Sequence, residues 1–136
     1  MSHRRPATSA RRRTRERGAA TVELVILLPA LFAVLFLGMQ AALFYHARTV
    51  AIAAAQEGAR AAGAENGTVS DGIAAASSFI ADAGGTDVLR RSSTTANRAT
   101  TTVTVTVSGQ SLSVIPGWNP VVTQSASLPV ERLTAP

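Results

Sequence analysis

From Leu24 to Tyr45 run 22 residues, LVILLPALFAVLFLGMQAALFY, without a charge, bounded by Glu23 and Arg48. As a helix this stretch measures about 33 Å at 1.5 Å per residue, enough to cross a hydrocarbon core of about 30 Å. The remaining residues could not cover a helix that is apolar on every side, so a membrane span is expected rather than a buried core helix. Pro29 removes one intrahelical hydrogen bond and predicts a kink, which a spanning helix tolerates. Gly38 and Ala42 form a small-xxx-small pair, the spacing that lets two helix backbones approach closely in lipid. Alanine then dominates residues 47–67 without a proline, and its helix propensity predicts that the same helix continues to about Gly63. From Ala19 to Gly63 that is 45 residues, roughly 68 Å of helix. Ala47, Ala51, Ala54, Ala55, Gly58 and Ala62 recur at helical spacing as a ridge of small side chains. The ridge suits packing against another helix, and a generic alanine-rich helix displays the same pattern.

The helical pattern breaks at ENGTVSDG, residues 65–72. Asn-Gly is turn chemistry, which also suffices to explain the NGT sequon, and Thr68 with Asp71 can form a capping box for the next helix. That helix, over 70–83, carries Ile73, Ala76, Ile80 and Ala83 on one face with Phe79 beside them, and Gly84-Gly85 ends it. In ATTTVTVTVSG, Val103, Val105 and Val107 alternate with Thr102, Thr104 and Thr106, the period of a strand. SGQS at 108–111 is expected to turn the chain into a second strand in LSVIPG, closed by the breakers of PGWNP around Trp118. VVTQSASLPVERL reads as a third strand, with Pro129 near its end marking an edge. The expected fold is α+β: a long N-terminal transmembrane helix extending into a small extracytoplasmic head that holds a second helix and an antiparallel three-stranded meander. The expected regions are a basic cytoplasmic leader at 1–18, the long helix at 19–63 with its span at 24–45, and the head at 64–136.

Charge gives this arrangement a direction. All 13 basic residues are arginines and the net charge is +5. Residues 1–18 hold seven of them (Arg4, Arg5, Arg11, Arg12, Arg13, Arg15, Arg17) and one acid, Glu16, a net +6; residues 19–136 hold six arginines and seven acids, a net −1. Arginines beside an apolar span hold that end in the cytoplasm, which puts the head outside and Phe44, Tyr45 and His46 at the outer interface. Basic arms can also bind nucleic acid, but the membrane role already accounts for the cluster and no aromatic is interleaved to stack on bases. No nucleic-acid partner is expected. A cleaved secretory signal competes, yet its core is usually roughly 7–15 residues, and here apolar character runs past the small-residue imitation MQA at 39–41. RRRTRERG lacks the hydrophobic residue a twin-arginine signal needs.

Candidate chemistry is sparse. Without cysteine there is no disulfide, thiol nucleophile or thiolate metal site. His3 and His46 lie on opposite sides of the apolar run and cannot share a metal within one chain. Glu57, Glu65, Asp71, Asp82, Asp87 and Glu131 have no metal-ligand spacing, and AGG at 83–85 lacks the residues of a phosphate loop. Arg132 beside Glu131 reads as a solvated pair. The expectation is a non-enzyme with no catalytic residue, metal, cofactor or small-molecule substrate.

Glu23 stands apart, because an ionisable residue at the first turn of a span is costly in lipid. It can simply mark the cytoplasmic boundary. Yet the order of basic leader, Gly18, AATV, Glu23 and apolar helix resembles the type IV prepilin processing pattern, in which a membrane peptidase cuts after the glycine on the cytoplasmic side. The resemblance implies cleavage between Gly18 and Ala19 and makes Glu23 the partner for the freed α-amine of a neighbouring subunit. RGAATVELVILLPALF, with its early proline, and QEGARAA, in which Glu57, Gly58, Ala59 and Arg60 supply the closing element, are similar to the TadE-like family of the tight adherence (Tad, or Flp pilus) system. VSGQSLSVIPGWNPVVTQSASLPVERL at 107–133 is similar to the tail of actinobacterial members, with Leu133 where an aromatic is usual. The resemblance implies a minor pilin-like (pseudopilin) component of the inner membrane, matured by prepilin peptidase, with the major Flp pilin and other TadE/TadF-like proteins as partners. Processing would fall on Gly18 and Ala19, assembly on Glu23, and helix packing on Gly38, Ala42, Ala51, Ala55, Gly58 and Ala62. The alternative is an uncleaved single-pass anchor presenting a small extracytoplasmic binding module.

Overall fold

A computed structural model describes residues 9–134; His3, Arg4 and Arg5 of the leader lie outside them. In chain order the elements are α1 (Ser9–Gly63), α2 (Val69–Asp82), a 3-10 turn (Gly85–Asp87), β1 (Leu89–Arg98), β2 (Thr102–Ser111) and β3 (Val121–Pro129). α1 is helical from Ser9 rather than from Ala19, and it continues through Pro29. Leu, Ala and Arg, all good helix formers, dominate it.

The chain divides into two compact units, one ending at Gly38 and the other beginning at Met39. In the first, every residue from 16 to 38 is exposed, including Leu24, Ile26, Leu31, Leu35 and Leu37. Among the described residues one helix is long and apolar enough to cross a membrane, and this run is its apolar part. Apolar side chains uncovered on all sides of a helix have lipid as their natural solvent.

The second unit has a core of small residues. α1 contributes Ala47, Ala51, Ala54, Ala55, Ala59 and Ala62, α2 contributes Ala76 and Ile80, and the sheet contributes Leu89, Val103, Val105, Val107 and Val122. α2 starts at the expected capping box: Asp71 N–H donates to Thr68 Oγ1 at 3.1 Å, and Thr68 N–H donates to an Asp71 carboxylate oxygen at 2.8 Å. The three strands form an antiparallel meander in the order β1-β2-β3. One face of β2 meets the core. On the other, Thr104 pairs with Ser127 at 2.8 Å and Thr106 with Ser125 at 2.7 Å through their hydroxyls. Pro129 ends β3, an edge strand, where a missing N–H costs no ladder bond.

Two strand assignments differ from the sequence expectation. SGQS does not turn: residues 108–111 complete β2, LSVIPG is not a strand, and the remaining strand of the meander is β1, which precedes β2. Gly109 is a packing glycine, since a Cβ there would lie 2.6 Å from Leu89 Cγ. β1 hid its alternation behind a bulge. Leu89 pairs with Ser111 and Thr94 with Val107, so five steps on β1 oppose four on β2, with Arg91 at φ 49° between them. The extra residue keeps both Leu89 and Thr94 on the inner face while breaking the period-2 signal.

Candidate functional site

At the N-terminal junction Gly18, Ala19 and Glu23 are helical and exposed, and Thr21 Oγ1 donates to the Arg17 carbonyl at 2.8 Å. A Cβ built on Gly18 would meet nothing within 4 Å. Packing therefore gives no reason for glycine at a helical position where it costs about 1 kcal/mol relative to alanine. Among the described residues Glu23 takes part in no ion pair; the pair present is Glu57 with Arg60.

The EGAR element has a role inside the second unit. A Cβ on Gly58 would lie 2.7 Å from the Gly72 carbonyl oxygen and 3.0 Å from both Ala76 Cβ and Val105 Cγ1. α1 and α2 therefore touch backbone to backbone at Gly58 and Gly72. Ala59 is buried beside this contact, while Glu57 and Arg60 pair at the surface. Of the residues expected on a packing ridge, Ala51, Ala55, Gly58 and Ala62 lie in the chain's own core, against α2 and the sheet. Gly38 and Ala42 are exposed, and a Cβ on Gly38 meets nothing within 4 Å.

Gln40 is the residue that sequence reasoning missed. It is 2 % exposed and bonded at both ends of its amide: Nε2 donates to the Leu112 carbonyl at 3.2 Å, while Oε1 accepts from Val114 N–H at 2.9 Å and from Ser113 Oγ at 3.0 Å. Its signal was a lone amide in an apolar run. One turn on, the rings of Phe44 and Tyr45 meet edge to face with centroids 6.0 Å apart.

Other polar groups hold the fold together. Arg132 donates to the Thr100 carbonyl at 2.6 Å and Arg98 to that of Ala64 at 3.3 Å, pinning the strand ends. The Thr68 hydroxyl, donating at 2.7 Å, and then the Thr68 backbone N–H hold the Asp71 carboxyl below its ordinary pKa. Among the described residues no three His, Cys, Asp or Glu side chains cluster to hold a metal.

Residues 18–60, from the junction through the apolar run to the EGAR element, match the model of a family described as TadE-like protein. The match ends before α2, so the likeness of residues 107–133 to a family tail lies outside it. No curated protein and no solved structure matches the chain.

Proposed function

We propose that this TadE-like protein, so matched over residues 18–60, is a minor pilin-like component of a Tad-type pilus assembly and secretion system, cut by prepilin peptidase between Gly18 and Ala19. The observation that carries the reading is the junction: a helix glycine whose added Cβ would meet nothing, five residues before Glu23, which takes part in no ion pair among the described residues, at the start of the matched segment. Cleavage would free the Ala19 α-amine, cationic near neutrality with a pKa of about 8. On moving from the bilayer into an apolar helix bundle that amine needs a counter-charge, and Glu23 of a neighbouring subunit is the right group at the right depth. The chain acts by assembly, not catalysis. Its partners are the peptidase, the major Flp pilin and other TadE/TadF-like proteins, reached through the exposed part of α1, which holds Gly38 and Ala42. The arginine-rich leader keeps the N-terminus cytoplasmic and the head outside the inner membrane.

The second reading is an uncleaved single-span anchor, favoured by the unbroken run of α1 through Gly18 to Ser9. Intact mass separates the two. In protein taken from membranes with and without the cognate peptidase, a peptidase-dependent chain beginning at Ala19 supports the pilin-like reading. A chain that keeps residues 1–18 in both membranes makes the anchor correct.

A further inference from the structure

The two ends of the head unit differ in polarity. At the Gly63 end, Glu65, Arg98, Glu131 and Arg132 line an open cleft. The opposite end, about 35 Å away along α1 at 1.5 Å per residue, is where Gln40 binds the chain leaving β2. There the loop 112–120, LSVIPGWNP, carries no charge, and the whole stretch 99–130 has no Asp, Glu, Lys or Arg. Trp118 in this loop is 49 % exposed, and Val121 just after the loop is 65 % exposed. On α1, Tyr45 near the same end is 61 % exposed. Water is a poor environment for this group of side chains.

Gln40 sets the depth of the loop. It directly follows the uncovered apolar residues of α1, and the 16 charge-free positions from Leu24 to Met39 rise about 24 Å, so that a hydrocarbon thickness of about 30 Å is used up about one turn further on. The helix therefore leaves hydrocarbon within a turn of Gln40, and the segment fastened to Gln40 lies at that level. We propose that the 112–120 loop is a membrane-interface anchor, with Trp118 and Val121 seated among the outer headgroups so that the head rests on the bilayer. An indole suits that layer, with its apolar body toward the chains and its N–H toward water. Ser113 Oγ and Val114 N–H already donate to Gln40, so these two groups lose no water partner on insertion. The charged residues nearest this end on β1 are exposed Arg90 and Arg91, with Arg90 paired in register to Gln110, two positions before the loop. Their guanidinium groups can meet lipid phosphates, with Asp87 the acid beside them.

The inference rests on the single-span reading, and its test keeps the two apart. Trp118 is the chain's one tryptophan, so emission reports this loop alone. Full-length protein is reconstituted into phosphatidylcholine–phosphatidylglycerol vesicles, isolated by flotation, and compared with vesicles whose lipids carry bromine at the top of the acyl chains. The expected result is that the protein floats and Trp118 emission falls about twofold or more in brominated vesicles, as for an indole at the interface. Floating protein whose emission ignores bromine but is quenched by iodide supplied on both sides overturns the inference and leaves the span intact. Emission shielded from both quenchers means that a protein surface, such as a second copy, covers the loop, and this also overturns it. Protein that fails to float overturns the span and the anchor together.

Discussion

Gly18 and Gly58 lie on the same helix for opposite reasons. An added methyl at Gly58 would meet backbone, whereas one at Gly18 would meet nothing, so the second glycine serves this chain's fold and the first does not. Under the proposed pilin-like reading, Glu23 acts together with Gly18. Glu23→Ala is expected to leave membrane insertion unchanged and to lower pilus number about tenfold or more, as loss of a charge partner worth at least about 1.4 kcal/mol would. Normal piliation, counted by electron microscopy in this variant, would favour the simple anchor. Asp71 yields a pH expectation of definite sign. Its folded pKa is depressed by Thr68, so its contribution to stability is present above the ordinary carboxylate pKa and is lost as pH falls through the folded value. Thr68→Ala should cost about 1 kcal/mol near neutrality and flatten that acid loss. Thermal melts of the detergent-solubilised protein across the acidic range check both parts.

At the scale of elements, α1 is two helices in function. Up to Gly38 every described side chain is open, while beyond Met39 one face becomes the wall of a small-residue core. That core depends on close approach rather than on large side chains. Gly58→Ala puts two effects in competition: helix propensity favours alanine by about 1 kcal/mol, and overpacking against the Gly72 carbonyl opposes it by about 1–3 kcal/mol. The clash is with backbone and cannot swing aside, so net destabilisation is expected, read as a lower melting temperature of the head with unchanged helix content at low temperature. An equal or higher melting temperature would show that α1 and α2 can part without cost. The β1 bulge is the corresponding device in the sheet, restoring the inner face after Leu89.

For the whole molecule the question is direction. The basic leader predicts a cytoplasmic N-terminus, which makes the exposed α2 residue Ser77 extracytoplasmic. The chain has no cysteine, so Ser77→Cys provides a single clean label. It should react with a membrane-impermeant thiol reagent in cells whose outer barriers are open but whose cytoplasmic membrane is intact. Reaction only after that membrane is permeabilised would reverse the orientation.

Periodicity and composition were enough to determine the long apolar helix, the second helix with its cap, the Val–Thr strand and the α+β class. Each rests on local chemistry: helix propensity, side-chain alternation and a hydroxyl three residues from a carboxylate. Tertiary structure alone decided what Gly109, Leu89 and Gln40 do. Gly109 looked like a turn because glycine's conformational freedom is visible in sequence, whereas the nearness of Leu89 is not. β1 was hidden because a bulge conserves the buried face in space while breaking its period along the chain. Gln40 carries no local signal of its role, since its three hydrogen-bond partners lie more than seventy positions away.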